Sequence, residues 1–210
     1  MEKINYQKKL DKIIDEIEKN NVPKLLLHSC CGPCSSYVLE YLSDYFEITV
    51  FYYNPNIYPE EEYYIRLQEQ RDVIDKIEAR YPIKLIEGKY DLKIYYDAIK
   101  GYEKLGEGTE RCFNCYEFRM REAAILCKKF NMDYFTTTLS ISPYKNASKI
   151  NEIGENIEKE FGVKHLPSDF KKKGGYQRSI QLSKDWNLYR QDYCGCIFSK
   201  REAENRLKNE

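Results

Sequence analysis

The stretch "KLLLHSCCGPCSS", residues 24–36, joins a short apolar run to three closely spaced cysteines. The apolar run predicts a β-strand over 24–29, because a short continuous apolar run suits a strand that is covered on both faces. Ser35 or Ser36 is the expected N-cap of a helix through 38–42, since serine hydroxyls accept hydrogen bonds from free N–H groups at helix starts. The stretch therefore predicts a strand that turns directly into a helix, with thiols at the turn.

The rest of the chain alternates strand and helix patterns in the same way. Further strands are predicted over 47–53, 83–88, 133–140 and 162–166. Helices are predicted from Tyr6 to about Asn20, over 60–80, from Asp91, over 112–130 and 148–161, from Gln177 and again from Ile197. This alternation predicts an α/β fold, a parallel sheet of about five strands flanked by helices. Sites of such sheets lie beyond the carboxyl ends of the strands, where the first cysteines fall.

Length, charge and hydropathy limit the class of protein. The 210 residues suit a single α/β domain over 1–210, with an N-terminal helix within 1–22 and a C-terminal helical segment over 175–210. Basic and acidic residues number 34 each, so a polyanion must bind a local patch rather than a general positive field. The N-terminus has no apolar core of signal-peptide length, and no apolar run of about 18 residues occurs. We therefore expect a cytoplasmic protein with no membrane partner.

Eight cysteines are many for a reducing compartment, where clustered thiols indicate metal binding or thiol chemistry rather than structural disulfides. Cys127 lies among apolar residues of a predicted helix and is expected to be a buried packing residue. The other seven form three groups: "CCGPC" (Cys30, Cys31, Cys34), "CFNC" (Cys112, Cys115) and "CGC" (Cys194, Cys196).

The "CFNC" pair stands near a predicted helix start. Cys112 and Cys115 at i and i+3 share one helix face, and the positive end of the helix dipole lowers thiol pKa values there. Arg119, one turn further along, falls on the same face. Two thiolates in this arrangement can bind one metal ion or cluster, whereas the alternative is a pair of packed thiols.

Two kinds of metal site fit the cysteine spacing. The pairs Cys31 with Cys34 and Cys112 with Cys115 have the C-x-x-C spacing of a tetrahedral structural zinc site. A zinc site of this kind leaves Cys30 and the "CGC" pair without a role. An iron–sulfur cluster needs about four thiolates, which leaves others for a second metal or a redox step. The spacing favours the cluster and leaves zinc open.

Two further stretches carry polar groups that could contact a ligand. "TTTLSISPYKN", residues 136–146, follows a strand end, so its hydroxyls, Lys145 and Asn146 are expected at the same edge of the sheet. "DFKKKGGYQRS", residues 169–179, is a basic stretch. Its cationic residues are Lys171, Lys172, Lys173 and Arg178. Such a run is usually a solvated loop, but a mobile basic loop near a metal site also suits a phosphate backbone.

Six motifs, in order from about residue 24 to 200, resemble the cobalamin-independent epoxyqueuosine reductases. They are "HSCCGPCSS", "FYYNPNIYPEEEY", "RCFNCYEFR", "TTTLSISPYKN", "FKKKGGYQRSI" and "LYRQDYCGCIFS". The resemblance implies an oxidoreductase of the final step of queuosine biosynthesis, in which the epoxide of epoxyqueuosine at the wobble position of tRNA is reduced. It also implies a Rossmann-like sheet that carries a [4Fe-4S] cluster and an additional iron ion.

The resemblance assigns roles to most of the cysteines. The implied ligands of the cluster are Cys30, Cys31, Cys112 and Cys115. Cys194 and Cys196 are implied to form a redox-active, catalytic disulfide. Some relatives have an aspartate where this chain has Cys34, which makes Cys34 our candidate ligand of the second iron. The basic residues of 171–178 are then candidate contacts to the tRNA.

Removal of the epoxide oxygen as water needs two electrons and two protons, and an adjacent iron can act as a Lewis acid on that oxygen. No G-x-G-x-x-G follows a predicted strand, so a nicotinamide or flavin bound on that motif is not indicated, and we expect an external electron donor. Candidate proton donors are Tyr144, Lys145, Asp192 and Tyr193.

Three other functions compete with this one. The first is a zinc-stabilised nucleic-acid-binding domain without redox chemistry, and the second is a thiol–disulfide oxidoreductase that uses the C-x-x-C and C-x-C pairs. The third is an ATP-using tRNA-modifying enzyme, but the first loop has cysteines where a phosphate-binding loop needs glycines. Iron and sulfide content separates the reductase from the zinc domain.

Overall fold

The computed structural model describes residues 4–18 and 21–208, which form a parallel sheet with helices on both faces. The strands are β1 (Lys24–Ser29), β2 (Glu47–Tyr52), β3 (Lys84–Glu87), β4 (Tyr134–Thr137) and β5 (Lys164–His165). The helices are α1 (Tyr6–Asp15), α2 (Gly32–Leu42), α3 (Glu60–Lys76), α4 (Leu92–Ala98), α5 (Glu110–Lys129), α6 (Ala147–Phe161), α7 (Gly175–Asp185) and α8 (Ile197–Leu207). The predicted α/β class and the parallel sheet of five strands are confirmed.

The sheet has the strand order β3-β2-β1-β4-β5, with every adjacent pair parallel. β1 is central, and the chain order reverses between β1 and β4, so their carboxyl ends flank a topological switch point. The turn that carries Cys30 follows β1 directly. The fold therefore places the first cysteine group at the position where open α/β sheets bind ligands.

The core has two layers because alternate residues of β1 point to opposite faces of the sheet. Leu25 and Leu27 pack with apolar residues of α2 and α3, whereas Leu26 packs with residues of α5 and α6. All three leucines are buried, which explains why β1 has a continuous apolar run instead of an alternating one.

The capping prediction at the start of α2 is wrong. The helix begins at Gly32, with Cys31 in the N-cap position and no side-chain cap. Ser35 and Ser36 lie inside the first turns, and their hydroxyls donate to the carbonyls of Gly32 and Pro33, both at 3.0 Å. Proline fixes a helical backbone angle in the first turn, so the helix starts four residues earlier than a cap at Ser35 requires.

Several element boundaries also differ from the predictions. The fourth strand ends at Thr137, and Thr138–Ile141 form a 3-10 turn instead of continuing the strand. α3 ends at Lys76, short of residue 80, and β5 has only two residues. α1 ends at Asp15, whereas the predicted end near Asn20 lies outside the described residues.

Two parts of the C-terminal segment, α7 and residues 189–196, pack against helices that flank the sheet. α7 packs on α2, and a Cβ at Gly175 would lie 2.3 Å from the ring of Tyr37, so only glycine permits this approach. Residues 189–196 then cross to the start of α3 before α8 begins. This return brings the "CGC" pair towards the cysteines that follow β1. None of the described helices is both long and apolar enough to cross a membrane.

Candidate metal and thiol centre

Cys30, Cys31 and Cys34, here called the thiol triad, lie together where β1 ends and α2 begins. Their sulfur atoms lie within 4.8 Å of one another, and the Sγ atoms of Cys30 and Cys31 are 3.8 Å apart. Cys31 is buried, while the other two are partly exposed. Three soft donors at this spacing can ligate one transition-metal ion. In the described part of the chain, no other set of three Cys, His, Asp or Glu ligand atoms meets this spacing.

The triad thiols differ in acidity although they are neighbours. Hydrogen bonds from Cys31 and Cys34, together with the charge of Lys145, hold the pKa of Cys30 well below its ordinary value. The hydrogen bond to Cys30 and burial raise the pKa of Cys31 to about 12, and the same causes raise that of Cys34. Metal binding requires deprotonated thiols, so a metal ion that binds the triad must displace the protons of Cys31 and Cys34.

The predicted pair Cys112 and Cys115 lies on the first turns of α5, which begins at Glu110. Cys112 Sγ accepts a hydrogen bond from Gly108 N at 3.3 Å. Cys115 is buried, and this burial raises its pKa to about 12, opposed by the charge of Arg119. The structure thus confirms the shared position at a helix start, while the expected lowering of the thiol pKa values is wrong because burial outweighs the helix dipole.

The "CGC" pair lies next to both of the other cysteine groups. Cys194, Cys196, Cys112 and Cys115 line one narrow cavity, and Cys194 also lines the larger cavity of the triad. Cys196 is the N-cap of α8, where its Sγ accepts from Ser199 N at 3.4 Å. Both thiols are free in this structure, so the disulfide stays a prediction. Cys127, in contrast, is buried among apolar residues of α5 and α6, as expected.

The larger cavity has a volume of about 490 Å³ and opens at the triad. All four predicted proton donors line it: Tyr144, Lys145, Asp192 and Tyr193. Tyr144 is 80% exposed at the rim, whereas Lys145 is partly buried and interacts electrostatically with Cys30, Cys34 and Cys194. Tyr193 donates its hydroxyl proton to Tyr58 O at 2.7 Å. Of the four candidates, Lys145 is therefore the one that places a cation beside the thiols.

The polar stretch after β4 supports the triad from the neighbouring strand. Thr138 Oγ1 accepts a hydrogen bond from Cys30 N at 3.3 Å and lies 3.5 Å from Cys30 Sγ. Thr137 Oγ1 contacts the buried ring of His28 at 2.8 Å, and Asn146 caps α6. The prediction that these groups gather at the sheet edge is confirmed.

Three buried arginines surround the thiols, and only Arg119 was singled out from the sequence. Arg66 and Arg111 were missed. Arg66 follows Glu62 by four residues and forms a 2.7 Å ion pair with it. Such an i,i+4 pair usually lies on an exposed helix face, so the sequence gives no signal that this one is buried.

Arg66 holds the "CGC" loop by its backbone. Its Nη1 donates to Cys194 O at 3.2 Å, its Nη2 donates to Tyr193 O at 3.5 Å, and its guanidinium lies 5.0 Å from the Tyr193 ring centroid. Tyr58 N donates to Gly195 O at 2.8 Å. Gly195 has φ +135°, a conformation that side chains rarely allow. The start of α3 therefore fixes the loop that carries Cys194.

The basic stretch 171–178 is largely ion-paired. Lys171 contacts Asp169 at 2.6 Å, Lys173 contacts Asp11 at 2.7 Å, and Arg178 forms two hydrogen bonds with Glu40. Lys172 is exposed. These carboxylates offset part of the positive charge that the sequence suggested.

The residues present fit a bound anionic metal group. The donors are soft thiols from three segments, the set that iron–sulfur clusters and zinc prefer. Three buried polar groups near them have no hydrogen-bond partner among the described residues: Asn56 Oδ1, Arg111 Nε and Arg119 Nη2. Unpartnered buried donors are rare, and two cationic ones beside thiols suit an anion that is bound there.

Comparison with known proteins agrees with this site. A family model described as Epoxyqueuosine reductase QueH matches residues 25–202, which include all three cysteine groups. A protein of Staphylococcus epidermidis named Epoxyqueuosine reductase QueH is 42% identical over 94% of this chain and 85% of its own length. Proteins of the same name from Streptococcus pyogenes and Thermotoga maritima are each 37% identical, over 94% and 87% of this chain and 79% and 93% of their own lengths. This chain belongs to the epoxyqueuosine reductase QueH family.

Proposed function

We propose that this protein reduces the epoxide of epoxyqueuosine in tRNA to give queuosine, the last step of queuosine biosynthesis, in the cytoplasm. The observation that carries the proposal is the thiol triad, with sulfur atoms within 4.8 Å of one another at the end of the central strand. The triad opens into a cavity of about 490 Å³, a size that suits a nucleoside rather than a macromolecule. Family membership supplies the substrate class.

The metal centre that we propose has two parts. Cys30, Cys31, Cys112 and Cys115 are the proposed ligands of a [4Fe-4S] cluster, and Cys34 is the proposed ligand of an additional iron. When bound, this group supplies single electrons and a Lewis acid for the epoxide oxygen. The triad supports the second iron in particular, because Cys34 shares its ligand cluster with two of the proposed cluster ligands.

The overall reaction balances with two electrons and two protons. Both C–O bonds of the epoxide break, a carbon–carbon double bond forms, and the oxygen leaves as water. The electrons come from an external reductant. Lys145 is the proposed group that faces the leaving oxygen, since its cation lies beside the triad and lines the cavity. A lysine ammonium there can stabilise negative charge on oxygen and can supply one of the protons.

The "CGC" pair is the proposed electron relay. Cys194 lines both cavities and so lies between the triad and the pair on α5. Oxidation of the two thiols to a disulfide releases two electrons and two protons, the number that the epoxide consumes. A disulfide across one intervening residue is strained and readily reduced, which suits a catalytic couple.

The tRNA is the proposed macromolecular partner, with Lys171, Lys172, Lys173 and Arg178 as candidate phosphate contacts. The ion pairs of Lys171, Lys173 and Arg178 with carboxylates weaken each as a contact, because a phosphate must compete with the partner acid. Lys172 supports the proposal best, since it is exposed beside them.

Metal analysis separates this proposal from its main alternative, a zinc-stabilised nucleic-acid-binding domain. Protein purified without oxygen is expected to be brown, with iron and acid-labile sulfide near four per chain and iron in excess of sulfide. Colourless protein with one zinc ion and no sulfide would overturn the proposal and favour the zinc domain.

A further inference from the structure

The three buried arginines around the thiols differ in how their charge is compensated. Arg66 pairs with Glu62 at 2.7 Å, and Arg111 pairs with Glu202 at 3.0 Å. Arg119 is 2% exposed and forms no ion pair with a carboxylate among residues 4–18 and 21–208. A guanidinium stays protonated at every accessible pH, so burial leaves Arg119 as a full positive charge without an acidic partner.

The contacts of Arg119 hold its guanidinium in place without neutralising it. Nε donates to Cys115 O at 2.9 Å, and Nη1 donates to Asn54 Oδ1 at 3.1 Å. Asn54 in turn donates to Ser29 O at 2.8 Å, directly before the triad. These partners are neutral carbonyl oxygens. The third nitrogen, Nη2, is buried and has no hydrogen-bond partner among the described residues.

The groups that face Arg119 electrostatically are thiols of all three cysteine groups. Cys115 lies on its own helix, Cys194 on the loop before α8, and Cys30 on the turn after β1. The ring of Tyr116 is also near, and His28 lies on β1, where burial lowers its pKa to about 3 and keeps it neutral. Thiolates, or an anionic group that they bind, can therefore supply the negative charge that this buried cation needs.

We propose that Arg119 is the built-in countercharge of the metal group that the cysteines bind, and that its Nη2 donates a hydrogen bond to a sulfur atom of that group. The inference rests on the proposed function, because it requires an iron–sulfur group at these cysteines. A [4Fe-4S]²⁺ core with four thiolates carries two negative charges, and one electron from a reductant gives [4Fe-4S]⁺ with three. A buried cation favours the more anionic state, so Arg119 raises the reduction potential and eases electron uptake.

The test is a redox titration of the iron-loaded protein with dithionite, followed by electron paramagnetic resonance. Arg119→Gln removes the charge and is expected to lower the ratio of reduced to oxidised cluster at least tenfold at fixed potential, a downward shift of about 59 mV for one electron. Arg119→Lys keeps the charge and is expected to restore most of the potential while it loses the two fixed hydrogen bonds. Iron and sulfide contents are measured in parallel.

The matched control is Arg121→Gln, which removes a partly exposed arginine of the same helix that pairs with Glu117 and Glu160. Solvent and these carboxylates screen the charge of Arg121, so the potential is expected to stay within a small fraction of the Arg119→Gln shift. Where Arg119→Gln does not fold, Asn54→Asp is used instead, because it places a carboxylate against Nη1 and neutralises Arg119 in place. Its potential is expected to fall in the same direction.

The outcomes separate the two proposals. Wild-type protein without an iron–sulfur signal overturns the proposed function. A wild-type protein with a one-electron couple, together with a charge-removing variant whose potential is unchanged, overturns the role of Arg119 alone. A similar fall in potential for both Arg119→Gln and Arg121→Gln would also overturn it, since the shift would then not depend on the buried position of Arg119.

Discussion

Cys34 and Cys127 both lie in helices, yet their surroundings give them different chemistry. Cys34 is partly exposed in the first turn of α2 and is one of three clustered sulfur atoms. Cys127 is buried in α5, where burial raises its pKa to about 11 and its Sγ donates to Met132 O at 3.5 Å. A thiol with a hydrogen bond and apolar neighbours is inert, whereas clustered thiols with a cation nearby can bind metal.

Replacement of Cys112 or Cys115 by serine is expected to abolish the iron–sulfur cluster. Removal of one thiolate from a set of four leaves an iron open to solvent and oxidation. The measurement is visible absorbance with iron and sulfide content after anaerobic purification. Cys127→Ala is the control, because it removes a buried thiol that lies outside the site. A cluster with full absorbance in both serine variants contradicts the ligand assignment.

Replacement of Cys194 by serine is expected to leave the cluster in place and remove most turnover. The serine keeps the size and the backbone contacts of the loop but cannot form the disulfide with Cys196. Alkylation and peptide mass spectrometry are expected to find this disulfide in air-handled wild type and two thiols after mild reduction. Cys127→Ala, which removes a buried thiol outside the site, is the control. Wild-type turnover by the serine variant would exclude the pair from the electron path.

At the scale of elements, the first two turns of α3 and the "CGC" loop act as one unit. Glu62 accepts hydrogen bonds from Tyr189 Oη at 3.2 and 3.1 Å and also pairs with Arg66. A single buried ion pair thus binds both ends of the segment 189–194 to one helix. The position of Cys194 depends on a helix more than 120 residues earlier in the chain.

Arg66→Lys is expected to loosen this loop, because a lysine cannot donate at once to Glu62 and to the carbonyls of Tyr193 and Cys194. Cys194 should then react faster with iodoacetamide, and turnover should fall about tenfold or more, which corresponds to roughly 1.4 kcal/mol. Arg71→Lys is the matched control on the same helix, since Arg71 forms an exposed ion pair with Glu87. Equal Cys194 reactivity in the two variants would contradict the clamp.

The sequence predicted the elements better than their ends. Continuous apolar runs located β1 and β2, because only a buried strand tolerates them. The cap of α2 was misplaced, since Pro33 starts the helix early and the serine hydroxyls bond inside it. The strand predicted to residue 140 ends at Thr137, where hydroxyls turn the chain into a 3-10 segment. Hydrogen bonds of side-chain hydroxyls and the fixed angle of proline decide where these elements begin and end. Neither produces a periodic pattern of apolar residues, so the sequence does not locate the ends.

For the site as well, the sequence predicted local features but not long-range contacts. Cysteine spacing located the three groups, but their meeting depends on the crossover order of the sheet and the return of the C-terminal segment. Neither is encoded in local spacing. The buried state of Arg66 and Arg111 and the ion pairs of Lys171, Lys173 and Arg178 are long-range contacts, which explains why the sequence missed the first two and overestimated the free charge of the others.

At the scale of the whole molecule, the chain has two histidines, and both are buried and neutral. Burial lowers the pKa of His28 and of His165 to about 3. The unfolded chain takes up these protons near pH 6.5, whereas the folded protein does not. Stability is therefore fully present above about pH 6.5 and falls as the pH drops towards 3, by at most about 1.4 kcal/mol per pH unit for each histidine.

His165→Leu is expected to reduce this acid sensitivity by about half. The ring of His165 packs 5.2 Å from Phe135, and neither ring nitrogen has a hydrogen-bond partner among the described residues, so an apolar side chain suits the site. The measurement is urea unfolding of metal-free protein between pH 4 and pH 7, with wild type as the reference. A slope that is the same in both proteins would show that His165 does not couple protonation to folding.

The proposed reaction requires the metal centre, the cavity and the tRNA together. Its most direct test is a single-turnover assay under anaerobic conditions, with iron-loaded, chemically reduced protein and tRNA that carries epoxyqueuosine. Digestion and mass spectrometry of the nucleosides follow. We expect conversion of epoxyqueuosine to queuosine, with the loss of one oxygen atom, and no conversion by the Cys115→Ser protein. Unchanged epoxyqueuosine after incubation with fully loaded, reduced wild-type protein would contradict the account.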